Sequence, residues 1–343
     1  MIKVLVTGGS GFIGSNFIRY AIREHSDWRV ANLDKLTYAG NLENLADVES
    51  DSRYSFIRGD IADRKLVGTL LGKGFDVVVN FAAESHVDRS ILDPTPFIKT
   101  NIEGTQVLLE GTRQQRVRLF LQISTDEVYG SLGIKGRFRE ESPLKPNSPY
   151  AASKAAADLL CRSYSITHDL PIIITRCSNN YGPFQFPEKL VPLVITNALE
   201  NKKVPLYGDG LNIRDWIHVE DHCRALDAVI QLGKPGEIYN ISSHSEKTNL
   251  ELVKNLLDII GKPHSLIKFV ADRPGHDRRY ALSTTKIKRE LSWKPRIAIG
   301  KGLRQTVRWY VSNETWWRRI KSGEYADYYE RMYHRDESPY HRR

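Results

Sequence analysis

The sequence of 343 residues is 41% hydrophobic and 27% charged, the balance of an ordinary globular protein, which argues against a disordered, fibrous or membrane-embedded chain. Fifty basic residues against 41 acidic ones leave a net charge of +9, and because this surplus is spread along the chain, a phosphate-bearing small molecule suits it as well as a nucleic acid. Cys161, Cys177 and Cys223 form no Cys-x-x-Cys pair, and no apolar stretch is long enough for a signal peptide or a membrane span, so we expect a cytoplasmic protein with no membrane partner.

Short β-branched runs alternate with helical patterns through the first half of the chain. Residues 15–24 carry Phe17, Ile18, Ala21 and Ile22 at helical spacing, which is the apolar stripe of a helix that packs on a sheet. This alternation predicts βαβ units and an α/β fold, a Rossmann-type doubly wound parallel sheet with both faces covered. The predicted strands are 2–7, 30–34, 54–58, 77–82, 119–124 and 172–176.

Proline and glycine interrupt the sequence after Tyr181, which predicts a second, smaller mixed α/β lobe. Residues 250–260 have the pattern of an amphipathic helix, and the Trp- and Tyr-rich end from Trp309 onward is expected to pack as a helical closure. We therefore predict a Rossmann domain and a substrate-binding lobe. The Rossmann domain takes residues 1–182, with 213–243 returning to it, and the lobe takes 183–212 and 244–343.

A glycine-rich segment, residues 7–14, follows the first predicted strand and opens the first helix. This is the context of a dinucleotide-binding fingerprint, in which glycines permit a tight turn and a close approach of the backbone to a pyrophosphate. Asp34 ends the second strand, where a carboxylate accepts hydrogen bonds from a ribose diol and repels a 2′-phosphate, so the pattern favours NAD over NADP. The alternative is a flexible turn followed by an acid that caps a helix.

Tyr150 and Lys154 lie four residues apart at the start of an alanine-rich helical pattern, so their side chains share one helix face. A tyrosine has a pKa of about 10, and making it a base at neutral pH means closing a gap of about 3 pH units, or about 4 kcal/mol. A lysine ammonium and a positive nicotinamide ring both favour the phenolate. The alternative for this pair alone is an exposed tyrosine beside a solvated lysine.

Thr125, Asp126 and Glu127 follow the strand predicted at 119–124, at the edge where ligands bind in open parallel sheets. A hydroxyl and two adjacent acids therefore meet there. The alternative is an ordinary loop in which Asp126 caps a helix and Glu127 faces solvent.

These motifs together resemble the extended short-chain dehydrogenase/reductase family of nucleotide-sugar enzymes. Segments 34–41, 82–90, 124–130 and 272–280 are similar to the 4,6-dehydratases of that family, and the likeness runs nearly from end to end of the chain. Sugar epimerases of the family resemble the chain around Tyr150 and Lys154 but lack the adjacent pair of acids. Asp126 and Glu127 therefore decide between the two activities.

The resemblance implies a lyase that dehydrates dTDP-glucose with bound NAD and no net redox change. Tyr150, held by Lys154, would take the O4 proton while Thr125 orients that hydroxyl and the C4 hydride passes to NAD. Glu127 would then remove the C5 proton, Asp126 would protonate the departing C6 hydroxyl, and the hydride would return to C6. This scheme needs a neutral Asp126 beside an ionised Glu127, and burial of Asp126 would supply that difference.

The resemblance also implies which residues bind each ligand, and it implies no metal. The cofactor-facing positions correspond to Gly8, Gly11, Phe12, Ile13, Gly14, Asp34, Lys35, Thr37, Gly40, Asp60, Ile61, Ala82, Ala83, Ser85, Thr100, Tyr150, Lys154 and Asn180. The substrate-facing positions correspond to Ser85, Thr125, Asn179, Lys189, Leu190, Pro205, Tyr207, Arg214, Asn249, Arg273, His276 and Tyr280. Arginine suits a diphosphate because its guanidinium pairs with two oxygens at once. The family further implies a homodimer formed through paired helices.

The sequence departs from the family pattern at three places. Residues 240–246 contain serines where the family usually has two glycines and an asparagine, Gln122 replaces a common histidine, and Ala151 replaces a common serine. These departures bear on nucleotide preference and rate. Two other functions stay open: a related epimerase or GDP-mannose-type dehydratase, and an NAD-binding sensor or nucleic-acid-binding relative that rests only on the +9 charge. The four residues of the two motifs argue against the last, and no nucleic-acid partner is expected.

Overall fold

The computed structural model describes residues 1–323, 327–329 and 332, so part of the aromatic-rich end that was expected to pack lies outside the described residues. The strands are β1 (Ile2–Thr7), β2 (Trp28–Asp34), β3 (Tyr54–Arg58), β4 (Val77–Asn80), β5 (Leu119–Thr125), β6 (Ile172–Cys177), β7 (Asn179–Tyr181), β8 (Val204–Tyr207), β9 (Ile213–His218), β10 (Ile238–Ile241), β11 (Glu246–Thr248) and β12 (Ile267–Val270).

Helices connect these strands. The α-helices are α1 (Phe12–Glu24), α2 (Arg64–Leu71), α3 (Val87–Leu92), α4 (Thr95–Phe97), α5 (Thr105–Gln115), α6 (Pro149–His168), α7 (Leu190–Leu199), α8 (Val219–Leu232), α9 (Asn249–Ile260), α10 (Thr285–Leu291), α11 (Ile299–Ser312) and α12 (Glu314–Lys321). A π-helical segment, Ile98–Gly104, joins α4 to α5, and 3₁₀ turns occupy Leu42–Leu45, Asp126–Tyr129 and His264–Leu266.

The main sheet contains seven of the described strands in the order β3-β2-β1-β4-β5-β6-β10, all parallel to their neighbours. The chain crosses over next to β1, which is the doubly wound arrangement. The predicted Rossmann-type fold and all six predicted strands are confirmed. The last strand of the sheet, β10, comes from a later part of the chain, within residues 213–243.

Both faces of the main sheet are covered by helices, because its central strands are apolar on both sides. All four residues of β4 are buried. Phe17 and Ile18 of α1 pack with Val229 of α8 on one face. Leu108 of α5 and Cys161 of α6 pack on the other face.

A further apolar core forms among α7, α9, α11 and α12, in the part of the chain after Tyr181. Helix α9, predicted at 250–260, begins with a capping box in which Thr248 and Glu251 satisfy each other's backbone N–H groups. Trp317 and Tyr310 are fully buried in this core, so the described part of the aromatic-rich end packs as expected. Two small sheets, β11-β9-β7 and β12-β8, lie outside the main sheet.

In the part of the chain that the structure describes, no helix is both long and apolar enough to cross a bilayer. All three cysteines are buried and free.

Candidate active site

A cleft with a volume of about 300 Å³ lies at the carboxyl edge of the main sheet, and the loops that follow β1, β2, β4 and β5 form its walls. The carboxyl ends of parallel strands meet at one edge, so motifs far apart in sequence converge there. Every predicted cofactor-facing residue lines this cleft: Gly8, Gly11, Phe12, Ile13, Gly14, Asp34, Lys35, Thr37, Gly40, Asp60, Ile61, Ala82, Ala83, Ser85, Thr100, Tyr150, Lys154 and Asn180.

The glycine-rich turn brings bare backbone to the cleft. Gly8 has a φ of +68°, and a Cβ there would lie 2.6 Å from the backbone nitrogen of Ala82. A Cβ on Gly14 would lie 2.4 Å from the carbonyl oxygen of Gly8. Helix α1 begins after Gly11 with no side-chain cap, which leaves its first amides to other acceptors. These features fit a pyrophosphate at the helix N-terminus.

Asp34 ends β2 and holds the loop that frames the adenosine side expected for NAD. Its two carboxylate oxygens accept hydrogen bonds from the backbone N–H groups of Ser10, at 2.9 Å, and Leu36, at 2.8 Å. Each oxygen has a second lone pair for a ribose hydroxyl. The next residue, Lys35, pairs with Asp60 at 2.8 Å across the cleft wall. This part of the cleft therefore also fits NAD.

Asp126 and Glu127 lie in the 3₁₀ turn that follows β5, and both line the cleft. The Thr125 hydroxyl accepts from the Glu127 N–H and donates to Asp126 Oδ1, both at 3.3 Å. The other Asp126 oxygen, Oδ2, is buried with no hydrogen-bond partner among the described residues. A buried oxygen of this kind disfavours the carboxylate form of Asp126.

The surroundings of the two acids raise both pKa values, that of Asp126 more strongly. Burial, together with the charge of Glu127, raises the pKa of Asp126 well above its usual range. Burial also raises the pKa of Glu127, but Arg273, Arg214 and Lys189 oppose that rise. The cations therefore favour ionisation at Glu127, and burial favours a neutral Asp126.

Tyr150 and Lys154 project from the first turns of α6, whose N-cap Ser148 accepts from the N–H of Ala151 at 3.1 Å. Lys154 Nζ donates to the carbonyl oxygen of Ile123 at 2.6 Å. Burial, with the nearby Glu127, raises the pKa of Tyr150 well above 10. The barrier to ionising Tyr150 thus exceeds the gap of about 3 pH units that an exposed tyrosine would have to close.

Three cations from outside the main sheet act on Glu127. Lys189 lines the cleft, and its Nζ donates to the carbonyl of Ser85 at 2.7 Å. Arg273 pairs with Asp88 at 3.1 Å. Arg214 lies over the ring of Tyr280, 4.3 Å from its centroid. Positive charge is therefore concentrated where a diphosphate is expected.

The predicted substrate-facing residues divide into two groups. Ser85, Thr125, Asn179 and Lys189 line the cleft, and Asn179 Oδ1 is buried with no partner among the described residues. The others lie outside the cleft lining, on elements and loops outside the main sheet: Leu190, Pro205, Tyr207, Arg214, Asn249, Arg273, His276 and Tyr280.

Sequence reasoning assigned no role to several residues of the site. Glu84, Gln185, Phe186 and Glu188 line the cleft, and Glu188 also pairs with Arg89 at 3.0 Å. Glu84 and Glu188 each lie next to a residue that was predicted to bind a ligand, which was the only signal the sequence offered.

Two of the departures from the family pattern have structural partners. Ser242 contacts the carboxylate of Asp215 through its hydroxyl, and the N–H of Ser245 donates to the same carboxylate at 2.8 Å. The serines therefore tie the 240–246 loop to β9. Gln122 lies in the interior of the main sheet, where it accepts from Asn80 at 2.9 Å.

A parallel sheet with a glycine-rich turn, a Tyr-x-x-x-Lys helix and a strand-end hydroxyl defines an extended short-chain dehydrogenase/reductase. A family model described as GDP-mannose 4,6 dehydratase matches residues 5–306, and the chain belongs to that family. The chain is 50% identical over 329 residues to a dTDP-glucose 4,6-dehydratase of Streptomyces niveus, covering 95% of this chain and 97% of the relative.

Solved structures show the same likeness. A dTDP-glucose 4,6-dehydratase from Streptomyces venezuelae, solved with NAD bound, is 50% identical with a TM-score of 0.91, covering 93% of this chain and 100% of the other. A dTDP-glucose 4,6-dehydratase from Bacillus anthracis in complex with NAD is 49% identical with a TM-score of 0.89, covering 94% and 100%. The resemblance drawn from the sequence motifs is confirmed.

Proposed function

We propose that this chain is a hydro-lyase that converts dTDP-glucose to dTDP-4-keto-6-deoxyglucose with bound NAD. The observation that carries the proposal is the pair of a buried Asp126 and a half-buried Glu127 in the lining of the dinucleotide cleft, which Tyr150 also lines. The pKa of Asp126 is raised well above its usual range, and three cations act on Glu127. The names of the similar proteins support the same reaction. An epimerase needs no such acid pair.

The cleft residues divide the work of holding the cofactor. The turn at Gly8 and Gly11 would receive the pyrophosphate, Asp34 would receive the adenosine ribose, and Lys154 and Asn180, which also line the cleft, would face the nicotinamide. When bound there, NAD supplies a hydride acceptor for C4 of the sugar and a hydride donor for C6, so the reaction has no net redox change.

The proton transfers fall to the side chains of this chain. Tyr150 takes the proton of the O4 hydroxyl, which Thr125 orients. Once C4 is a ketone, the C5 proton is acidic, and Glu127 removes it. Asp126, kept neutral by burial, gives its proton to the C6 hydroxyl as it leaves as water. C5 is then reprotonated.

The remaining substrate contacts are argued from charge. Lys189, Arg214 and Arg273 neutralise the diphosphate, with His276 beside them, and Asn179 offers a buried amide to the nucleotide sugar. The other substrate-facing residues are Ser85, Thr125, Leu190, Pro205, Tyr207, Asn249 and Tyr280.

We assign NAD binding to residues 1–182 with 213–243, and substrate binding to 183–212 with 244–343. The pairing of β10 with β6 supports the first assignment.

We also propose a homodimer through α6, because Leu159 and Ile166, seven residues apart on one helix face, are 57% and 62% exposed. The three free cysteines support a reducing, cytoplasmic location.

Incubation with dTDP-glucose in heavy water tests the reaction. We expect a 4-keto-6-deoxy product that carries one solvent deuterium at C5. Inversion at C4 with the C6 oxygen retained would mean an epimerase. GDP-mannose, run in parallel, would identify the nucleotide preference if it were turned over faster.

Two matched variants separate the roles of the acids. Asp126→Asn should slow the loss of water by about 10²- to 10⁴-fold while slowing the first oxidation much less, so that a 4-keto sugar with its C6 hydroxyl accumulates. Glu127→Gln should block the uptake of deuterium at C5. Equal loss of both steps in both variants would contradict the assignment.

A further inference from the structure

Helix α6, which carries Tyr150 and Lys154, also carries a buried acid, Asp158. Asp158 follows Lys154 by four residues on α6, so the two side chains share one helix face, and both are buried. One carboxylate oxygen, Oδ1, has no hydrogen-bond partner among the described residues. The mechanism above gives this residue no part.

Arg176 fixes the other oxygen of Asp158. Its Nε donates to Asp158 Oδ2 at 2.8 Å, and both residues are almost completely buried. Its Nη1 donates to the Tyr129 hydroxyl at 2.9 Å, and that hydroxyl donates to Asn240 Oδ1, also at 2.9 Å. Arg176 therefore has fixed partners, and it holds the carboxylate of Asp158 one helical turn from Lys154. Burial raises the pKa of Asp158, and the charges of Arg176 and Lys154 oppose that rise.

The groups that face Lys154 come from two elements. Asp158 and Cys161 belong to α6, along with Tyr150, and Cys177 ends β6. Burial lowers the pKa of Lys154, and Asp158 is the strongest charge that opposes it. Burial raises the pKa of Cys177 to about 12 and that of Cys161 well above its usual range, so both thiols are neutral.

We propose that Asp158, held by Arg176, is a positioning residue that supplies the counter-charge for Lys154 and so keeps this ammonium protonated at the active site. The proposal rests on the proposed function, because Lys154 matters there as a partner of Tyr150 and of NAD. An ammonium buried without an anion would lose its proton as the pH rises, and with it the charge that supports both partners.

The test is the pH dependence of NAD binding, measured by calorimetry on the full-length protein stripped of NAD, and of kcat with dTDP-glucose. Asp158→Asn removes the anion and should lower the pKa of Lys154. The alkaline limit of both profiles should therefore move down by about one pH unit, with NAD binding about tenfold weaker above that limit and nearly unchanged well below it. A merely structural role would weaken binding equally at every pH.

Two further variants test whether the shift of the alkaline limit comes from the charge of Lys154. In a Lys154→Arg background, where the guanidinium does not titrate, Asp158→Asn should no longer move the limit. Asp158→Asn with Arg176→Gln removes both charges of the pair and should fold even where the single variant does not, and it should move the limit by less than the single change. The proposal is overturned if the alkaline limit stays in place in Asp158→Asn. It is also overturned if Asp158→Asn moves the limit as far in the Lys154→Arg background as it does in the wild type. If the wild type fails to turn over dTDP-glucose, the proposed function falls, and the NAD-binding profiles still test Asp158.

Discussion

The two halves of the active site are built differently. The cofactor half consists of residues at the ends of parallel strands, and all of the predicted cofactor-facing residues line the cleft. The substrate half draws mostly on residues outside the main sheet, and of the predicted substrate-facing residues only Ser85, Thr125, Asn179 and Lys189 line the cleft. Strand register alone places a residue such as Asp34 at the edge of the sheet. A loop residue such as Arg273 is placed by whatever buried group it pairs with.

Asp88 is the buried group that places Arg273. Its carboxylate accepts from Arg273 at 3.1 Å and from the Tyr207 hydroxyl at 3.0 Å. Burial raises the pKa of Asp88, but Arg273 and His86 outweigh it and lower that pKa to about 2. Asp88 is therefore ionised throughout the neutral range, and its carboxylate fixes the positions of Arg273 and Tyr207.

Replacing Asp88 should produce the largest effect of those that separate the two halves. Asp88→Asn leaves the Arg273 guanidinium without its buried anion, so we expect the KM for dTDP-glucose to rise ten- to a hundredfold, or about 1.4–3 kcal/mol, with NAD affinity unchanged. Steady-state kinetics and calorimetry measure the two quantities. Asp209→Asn is the matched control, because Asp209 pairs with Arg278 at the surface, and it should change KM less than about twofold. A loss of NAD affinity in Asp88→Asn would show that the halves are not separable.

Asp34 gives the opposite prediction for the cofactor half. Asp34→Asn loses the charge and one of the two acceptors that hold Ser10 and Leu36, so the Kd for NAD should rise about tenfold and NADP should bind better than it does to the wild type. The KM for dTDP-glucose should not change at saturating NAD. Asp63→Asn, at the N-cap of α2, serves as the control and should leave the Kd for NAD unchanged. If Asp34→Asn discriminated against NADP as strongly as the wild type does, Asp34 would not be the residue that selects NAD.

The strands of the main sheet could be predicted from the sequence, and so could the site residues that follow directly after them. The rest of the site depends on contacts between residues far apart in the sequence. The positions of Asp126 and Glu127 at the cleft came from the strand that precedes them. Asp88 and Arg273 are 185 residues apart, and no local pattern joins them. The burial of individual side chains could not be predicted from the sequence either. The predicted cost of ionising Tyr150 was therefore too low, because burial raises its pKa well above 10. Lys154 was expected to hold Tyr150, whereas its hydrogen bond goes to the backbone of Ile123.

The smallest effect lies within the cofactor half, where His222 of α8 meets Asn180 in the cleft wall, with 2.9 Å between Nδ1 and Oδ1. Burial lowers the pKa of His222 to about 3. A histidine in the unfolded chain has a pKa near 6.5, so this group contributes stability above pH 6.5 that is lost as the pH falls toward 3, at up to about 1.4 kcal/mol per pH unit.

His222→Asn keeps a donor near the Nδ1 position but cannot titrate. We therefore expect the loss of unfolding free energy between pH 7.5 and pH 5.5, measured with urea, to be about 1 kcal/mol smaller in this variant than in the wild type. If His222→Asn left the pH dependence as it is in the wild type, His222 would not couple pH to folding, because protonation of its buried neutral imidazole is the only route by which it could do so.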